Sequence, residues 1–290
     1  MKRVLINKKY FKRSFITSVS FIFAIISAVQ IFFSLENDFG IKLDNPCKKL
    51  IALIIPILLA GLIAIIRTCT FKKNTLVDET QLSVILRYGN LWKYGFPRFC
   101  NKKRIVVVNV NTAFDTIVDP PEVHKPLVSA RTVHGQWIEQ MVKRGVSLDK
   151  LNIEIKKSLD EQRIVPSTVL NKDRGNADIY PRGTIALYQY NNTTFYLLAL
   201  SEFDEKNNAQ NSQEELRKTI LKLIEFIGHY SQGYDVYIPV MGSGNSRTGI
   251  DDQTALELLS SNLKLNRNDL RGKISVVVYE GNRDKVTIGG

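Results

Sequence analysis

The sequence is poor in the residues from which metal sites, disulfide frameworks and hydrolytic relays are built. Its 290 residues include three cysteines and three histidines. Cys47, Cys69 and Cys100 are odd in number and widely separated, which argues against a disulfide framework or a zinc site. His124 and His229 have no Cys, His or Asp neighbours at metal-ligand spacing, so no bound metal is expected. His134 stands alone at what reads as a helix start and is taken as structural rather than as an acid or base. No nucleophile-and-base pair stands out anywhere in the chain. Two phosphate-binding fingerprints are missing as well. No Lys-Ser/Thr pair closes the loop VMGSGNSRTG at 240–249, and Arg247 occupies the position of the third glycine of the dinucleotide fingerprint. An ATPase or a nicotinamide dehydrogenase is thereby excluded.

Charge is missing from two long stretches. Residues 14–35 form 22 consecutive uncharged positions, which as a helix would rise about 33 Å and cross a hydrocarbon core of about 30 Å. Residues 50–66 (LIALIIPILLAGLIAII) add 17 more, the short end of the spanning range, with Lys48, Lys49 and Arg67 able to snorkel. Pro56 lacks an amide hydrogen, so a bend is expected there. The first stretch is too long for a signal-peptide core, no small-x-small cleavage site follows it, and a second span comes soon after; two transmembrane helices, about 14–35 and 50–66, are expected. Neither contains an ionisable residue, which argues against a transporter. Small residues at a spacing of four, Ser20, Ala24 and Ala28 on the first helix and Ala60 and Ala64 on the second, could let helices approach closely.

The formal net charge of +12 is divided unevenly. Residues 1–73 carry 12 Lys/Arg against 3 Asp/Glu, and residues 74–290 carry 28 against 25. The excess therefore lies beside the spans, and a nucleic-acid partner, which needs basic residues over the folded domain, is not expected. Six basic residues precede the first span and Arg67, Lys72 and Lys73 follow the second, while the connecting loop is balanced. By the positive-inside rule both termini face the cytoplasm of a multi-pass protein of the cell inner membrane.

From residue 74 onward the pattern changes to short β-branched runs alternating with helices. Strands are expected at 81–87, 104–109, 183–189, 194–200, 234–239 and 274–279, with Asn191 and Asn192 turning a hairpin. Helices are expected over about 129–144, over 213–230 with its one-sided apolar face, and over 252–262; residues 157–180 are polar and left unassigned. Strand, loop, helix, strand is an α/β pattern. Two segments could carry chemistry. In the loop after 234–239, Gly242 and Gly244 permit close backbone approach, so successive amides can cradle phosphate oxygens. After the strand 104–109, Asn109, Asn111 and Asp115 stand at the carboxyl end of the sheet, where ligands of open α/β sheets bind and where amide and carboxylate groups can bond hydroxyls or base edges. Turn-shaping and helix capping are the competing uses of these residues.

The runs RIVVVNVNTAFDT, RTVHGQW and YIPVMGSGNSRTG, in this order and ahead of a helix, resemble the macro-domain-like module of the membrane effectors of Thoeris antiphage systems, and the two-helix N-terminus agrees with their layout. The resemblance covers residue 76 to the end for the module. It implies a three-layer α/β/α domain with a mixed sheet over 74–290, behind a transmembrane hairpin at 1–73. It also implies an ADP-ribose pocket: Gly242, Ser243, Gly244, Asn245 and Ser246 against phosphate, Arg247 adding charge, and Asn109, Asn111 and Asp115 lining the ribose side. The role implied is a receptor without a cofactor of its own and not an enzyme. A partner TIR-domain protein makes a signal from NAD, a histidine-linked ADP-ribose in the related type; binding drives self-association and the membrane is disrupted, which stops the infected cell. The triple-glycine run of hydrolytic macro domains is absent after the asparagine, which argues against catalytic removal of ADP-ribose. A membrane-tethered ADP-ribosyl hydrolase is the enzyme alternative, and a membrane scaffold for another protein is the third.

Overall fold

A computed structural model describes residues 2–33, 38, 45–99, 101–123, 126–169, 174–203, 209–210, 212–242 and 250–289. The chain divides into two compact units, one of residues 1–72 with 283–290, the other Lys73–Asn282.

The first unit is helical: α1 (Lys2–Ile6), α2 (Lys8–Phe32) and α3 (Pro46–Thr70). The two long helices have 25 residues each, enough for about 37 Å at 1.5 Å per residue. α2 begins six residues before its apolar stretch and ends within it at Phe32, whereas α3 extends beyond its stretch at both ends, because basic and polar flanks continue the helix. Asn45 caps α3 by accepting from the Cys47 amide at 2.9 Å, Pro46 sits at the first turn where its missing N–H costs nothing, and α3 runs through Pro56 as a single helix. Both helices are long and apolar enough to cross a membrane. Their large apolar side chains point outward, while the buried positions are Ser14 and Ser18 on α2 and Ala60, Ala64 and Thr68 on α3. Small residues therefore do line the close approach, but Ser20, Ala24 and Ala28 lie on the exposed side. The C-terminal tail belongs to this unit. Arg283 donates to the Cys69 and Phe71 carbonyls at 3.0 and 2.8 Å, Thr287 donates to Asn7 at 2.6 Å, and Arg3 pairs with Asp284 at 3.0 Å.

The second unit contains β1 (Lys73–Asp78), β2 (Leu82–Gly89), α4 (Trp92–Gly95), β3 (Arg104–Asn111), β4 (Val118–Asp119), β5 (Val128–Ser129), α5 (Val133–Val142) and α6 (Leu148–Glu161). It continues with β6 (Ser167–Thr168), β7 (Asp178–Ile179), β8 (Ile185–Tyr190), β9 (Thr193–Phe203), β10 (Ala209–Gln210), α7 (Gln213–Tyr230), β11 (Asp235–Pro239), α8 (Asp252–Leu265) and β12 (Gly272–Tyr279). The main sheet runs β1-β2-β12-β11-β3-β9-β10, with β8 also paired to β9. Its centre, β2, β12, β11, β3 and β9, is parallel, and β1, β8 and β10 are antiparallel additions.

Parallel strands covered on both faces must be apolar throughout. β3 meets this condition, since Ile105, Val106, Val107 and Val108 are all at most 1 % exposed. Because side chains alternate along a strand, Val106, Val108 and Val110 enter a core with Trp137, Ile138 and Met141 of α5 and Leu151, Ile155 and Leu159 of α6. Ile105 and Val107 point to the opposite face, where α7 buries Leu216, Ile220, Leu223, Ile224 and Ile227 and α8 buries Ala255, Leu256, Leu259 and Leu263. The result is the expected three-layer α/β/α arrangement with a mixed sheet. Each buried Val, Leu, Ile or Met side chain among them contributes about 1.5–3 kcal/mol by leaving water.

Besides the short elements α4, β4, β5, β6, β7 and β10, two longer ones lie outside the expectation. β1 lies at Lys73–Asp78, where no strand was expected, because an edge strand with one wet face alternates its exposure. α6 fills a region to which no helix was assigned, although Ser147 caps it, accepting from the Lys150 amide at 3.2 Å. The Asn191 turn is present: Tyr190 pairs with Thr193, and Asn191 takes φ of +51°, a left-handed conformation that asparagine tolerates.

Candidate functional site

The carboxyl ends of β3 and β11 are neighbours, because the two strands are parallel and hydrogen-bonded, with Val236 opposite Ile105 and Tyr237 opposite Val106. At the end of β11 the chain turns at Gly242, whose φ is +96°, and a Cβ there would lie 2.3 Å from Leu216 on α7. Both conditions demand glycine. Ser243, Gly244, Asn245, Ser246 and Arg247 lie outside the described residues. The chain is described again at Ile250, and Asp251 caps α8, its carboxylate accepting from the Thr254 amide at 2.7 Å.

At the end of β3 the three polar residues have different tasks. The Asn109 side chain carries a buried amide oxygen without a hydrogen-bond partner among the described residues. A buried acceptor left unpaired costs about 1–3 kcal/mol, so this oxygen is a candidate for a donor brought by a ligand. Asn111 and Asp115 bond to each other instead. Asn111 Nδ2 donates to Asp115 Oδ2 at 2.8 Å, and the Asp115 amide donates to Asn111 Oδ1 at 3.0 Å. The other carboxylate oxygen of Asp115 accepts from the Asn176 amide at 2.6 Å, and Asp115 is 1 % exposed. This pair braces the turn through Phe114, a buried non-glycine residue at φ +51°. The geometry gives Asn111 and Asp115 a shaping position beneath the loop surface.

The HGQ segment is also explained by its contacts. Thr132 caps α5 by accepting from the Gly135 amide at 3.1 Å. A Cβ on Gly135 would lie 2.3 Å from the Ser129 carbonyl oxygen, so the helix can approach β5 only with glycine there. Gln136 accepts from the Trp92 indole N–H at 2.8 Å. Burial pushes the His134 imidazole down to about 3, against the hydrogen bond that the ring donates to the Asp115 main-chain carbonyl, which raises it. His134 is therefore neutral at physiological pH.

A second carboxylate follows one turn of loop later. Burial works against ionisation of Asp119, but hydrogen bonds from Arg174 and the Leu127 amide, with the guanidinium charge, hold its carboxyl below the ordinary range. The Leu127 amide donates to it at 2.7 Å and Arg174 forms an ion pair with it. Arg174, Gly175 and Asn176 were not singled out from the sequence, since they lie in the polar run 157–180. Their signal is the Arg-Gly-Asn triplet, a turn sequence in which Gly175 takes φ of +81°. Among the described residues no group of three or more His, Cys, Asp or Glu is placed to hold a metal.

Residues 84–279 match the family model described as Thoeris protein ThsA, Macro domain. Thoeris protein ThsA of Bacillus amyloliquefaciens (strain Y2) is 26 % identical over an alignment spanning 97 % of this chain and 89 % of that one. Among solved structures, a variant Oceanobacillus iheyensis macrodomain with ADPR is similar at a TM-score of 0.44 and 10 % identity, over 73 % of this chain and 92 % of that one. The macrodomain of Mycobacterium tuberculosis DarG gives 0.37 at 13 % identity, over 67 % and 96 %.

Proposed function

The chain belongs to the Thoeris ThsA macro-domain family, and from that premise we propose that its α/β unit is a receptor for an ADP-ribose-type nucleotide whose binding clusters the helical pairs and disrupts the membrane. The observation that carries this reading is the pairing of the glycine-requiring turn at Gly242 with the unpaired buried oxygen of Asn109 on the adjacent strand. The loop amides after β11 receive the diphosphate; Asn109 accepts from a ribose hydroxyl. Asn111 and Asp115 hold the ribose side in shape. The partner that supplies the signal is a TIR-domain protein acting on NAD, and a histidine-linked ADP-ribose is the favoured ligand.

The helical pair spans the cell inner membrane twice with both termini in the cytoplasm, as the basic flanks at residues 2–13 and 67–73 favour. Ligand can drive association only by binding the assembled state more tightly than the single copy. The receptor is preferred to a hydrolase because the two candidate bases are engaged: the Asp115 carboxylate accepts two hydrogen bonds, and His134 is 6 % exposed.

The test is calorimetric titration of the full chain in lipid nanodiscs with ADP-ribose and with its histidine conjugate, following ligand consumption and particle size in the same samples. Saturable binding without consumption, with growth in particle size, is expected. Gly242→Val should weaken binding by about a hundredfold or more, as expected when a strained turn no longer presents its amides. Consumption of ligand would instead establish the tethered hydrolase, and absence of binding would leave the scaffold.

A further inference from the structure

Within the helical unit, residues 283–289 bind the start of α2 to the end of α3. The last carbonyls of a helix have no partner inside it, and Arg283 supplies one by donating to Cys69 and Phe71. Thr287 donates to Asn7, just before α2, Arg3 pairs with Asp284, and Val286 and Ile288 are at most 1 % exposed. Tyr10 of α2 stacks on Phe71 with ring centroids 3.9 Å apart. Gly289 lies against both residues: a Cβ there would stand 3.1 Å from Tyr10 Cβ and 3.2 Å from Phe71 Cε1. The tail is thus a clasp across the two ends, held by hydrogen bonds and by close packing.

The seam that this clasp closes is not satisfied by its own helices. Ser14 and Ser18, one turn apart on α2, are 7 % and 4 % exposed, and neither hydroxyl has a hydrogen-bond partner among the described residues. Other hydroxyls of the pair are paired within their helices: Thr17 donates to the Arg13 carbonyl at 2.9 Å, Thr68 to Ala64 at 2.7 Å and Thr70 to Ile66 at 2.9 Å. A buried hydroxyl without a partner destabilises the arrangement that buries it, and hydrocarbon offers no water in its place. We propose that residues 283–289 lock α2 against α3 in the resting chain, and that on release the Ser14–Ser18 face of α2 packs against a helix of a second copy, the hydroxyls bonding across the new contact. This rests on the reading of the helical pair as the membrane-spanning, clustering part of the receptor. Small residues admit a close neighbour, but the same face cannot serve both contacts at once. The clasp therefore sets whether a pair is closed on itself or open to another copy.

The experiment places the full chain in dye-loaded lipid vesicles and reads dye release and, by amine cross-linking of the same samples, oligomer size. Three variants open the clasp: deletion of residues 283–290, Arg283→Ala, and Gly289→Val, which keeps every polar side chain and crowds Tyr10 and Phe71. Without ligand, each is expected to raise dye release and the cross-linked fraction at least about tenfold over wild type, while the alkali-resistant membrane fraction stays within about twofold. Adding Ser14→Ala and Ser18→Ala to the deletion should return both signals to within about twofold of wild type, because alanine keeps the close approach and removes the hydroxyls. Clasp variants that stay embedded, and are as tight and as monomeric as wild type, would overturn the lock. Release undiminished by the two alanines would overturn the serine face as the contact between copies. Extraction of the wild-type chain by alkali would remove the spanning reading and the lock with it. A wild type that stays tight with saturating histidine-linked ADP-ribose, beside a leaking deletion variant, would instead defeat the receptor reading and leave the lock standing.

Discussion

The two units of this chain place their apolar residues in opposite directions. In the helical unit Leu58 is 67 % exposed and Phe32 80 %, while the enclosed positions of α2 and α3 are alanine, serine and threonine; in the α/β unit Trp137 and Phe195 are fully enclosed. A chain folding in water alone would not leave one of its two compact units inside out, because the free energy of transfer from water scales with apolar area wherever that area lies. The proposed membrane hairpin accounts for this with two solvents, water for the α/β unit and hydrocarbon for the helical pair. Within the membrane, association of helices no longer comes from hiding apolar surface and depends on close backbone approach, which small residues permit. On that proposal, Val, Ile and Trp hold the α/β unit, and Ala60, Ala64, Ser14 and Ser18 let α2 and α3 approach closely in the other.

The sharpest way to break the comparison is to cut the core of one unit and look for effects in the other. Trp137 packs edge-on against Tyr188 and Phe195 at 5.6 and 5.9 Å. Trp137→Ala should cost the α/β unit about 3–5 kcal/mol through lost transfer and a cavity that rigid neighbours cannot fill. Its urea midpoint, read by circular dichroism in nanodiscs, should fall, and the fraction of the chain resistant to alkaline extraction from membranes should stay as it was. A loss of both would mean that the units do not fold on separate grounds.

The reciprocal change is smaller and more diagnostic. Leu58 lies at the middle of α3, and Leu58→Arg on the water-exposed face of a soluble helix would change little. Placed in hydrocarbon, the same charge costs about 2.5–3.5 kcal/mol of insertion free energy. The expected outcome is a clear fall in the alkali-resistant membrane fraction with an unchanged urea midpoint for the α/β unit. An unchanged membrane fraction would sink the two-solvent argument.

How much of this was legible beforehand differs between the units for the same physical reason. The two apolar helices announced themselves by absence of charge, but apolar length does not report the ends of a helix: α2 starts earlier, in its basic flank, and ends at Phe32, and α3 runs past its estimate at both ends. In the α/β unit, β3 and β11 were legible as β-branched runs, and α7 over its whole length from its 3.6-residue period. α6 was legible in principle, through Ser147 and the spacing of Leu151, Ile155 and Leu159, yet its seven charged residues among fourteen masked the pattern. At the candidate site the residue types were readable and their tasks were not. Asn109, Asn111 and Asp115 look equivalent along one strand end, and what distinguishes them is a partner, Asn176, that lies 61 residues away from Asp115. No local rule reaches that distance.

His134 supplies the smallest effect and the one that separates the units by pH. Its imidazole titrates near 3 in the folded chain because burial excludes the cation, and at about 6.5 once exposed by unfolding. Above about pH 6.5 it is neutral in both states and pH-dependence from it vanishes; as pH falls below 6.5 the unfolded chain takes up a proton that the folded chain refuses, and stability is lost progressively toward pH 3. At pH 5 the loss from this residue is about 2 kcal/mol. Urea midpoints of the α/β unit at pH 7.5 and 5 should therefore diverge in the wild type, and the gap should narrow in His134→Gln. The α2–α3 pair contains no histidine and should keep its membrane fraction over the same range. An equal pH-dependence in wild type and variant would mean that His134 is already protonated when folded, and would return it to the list of candidate acids beside Asp115.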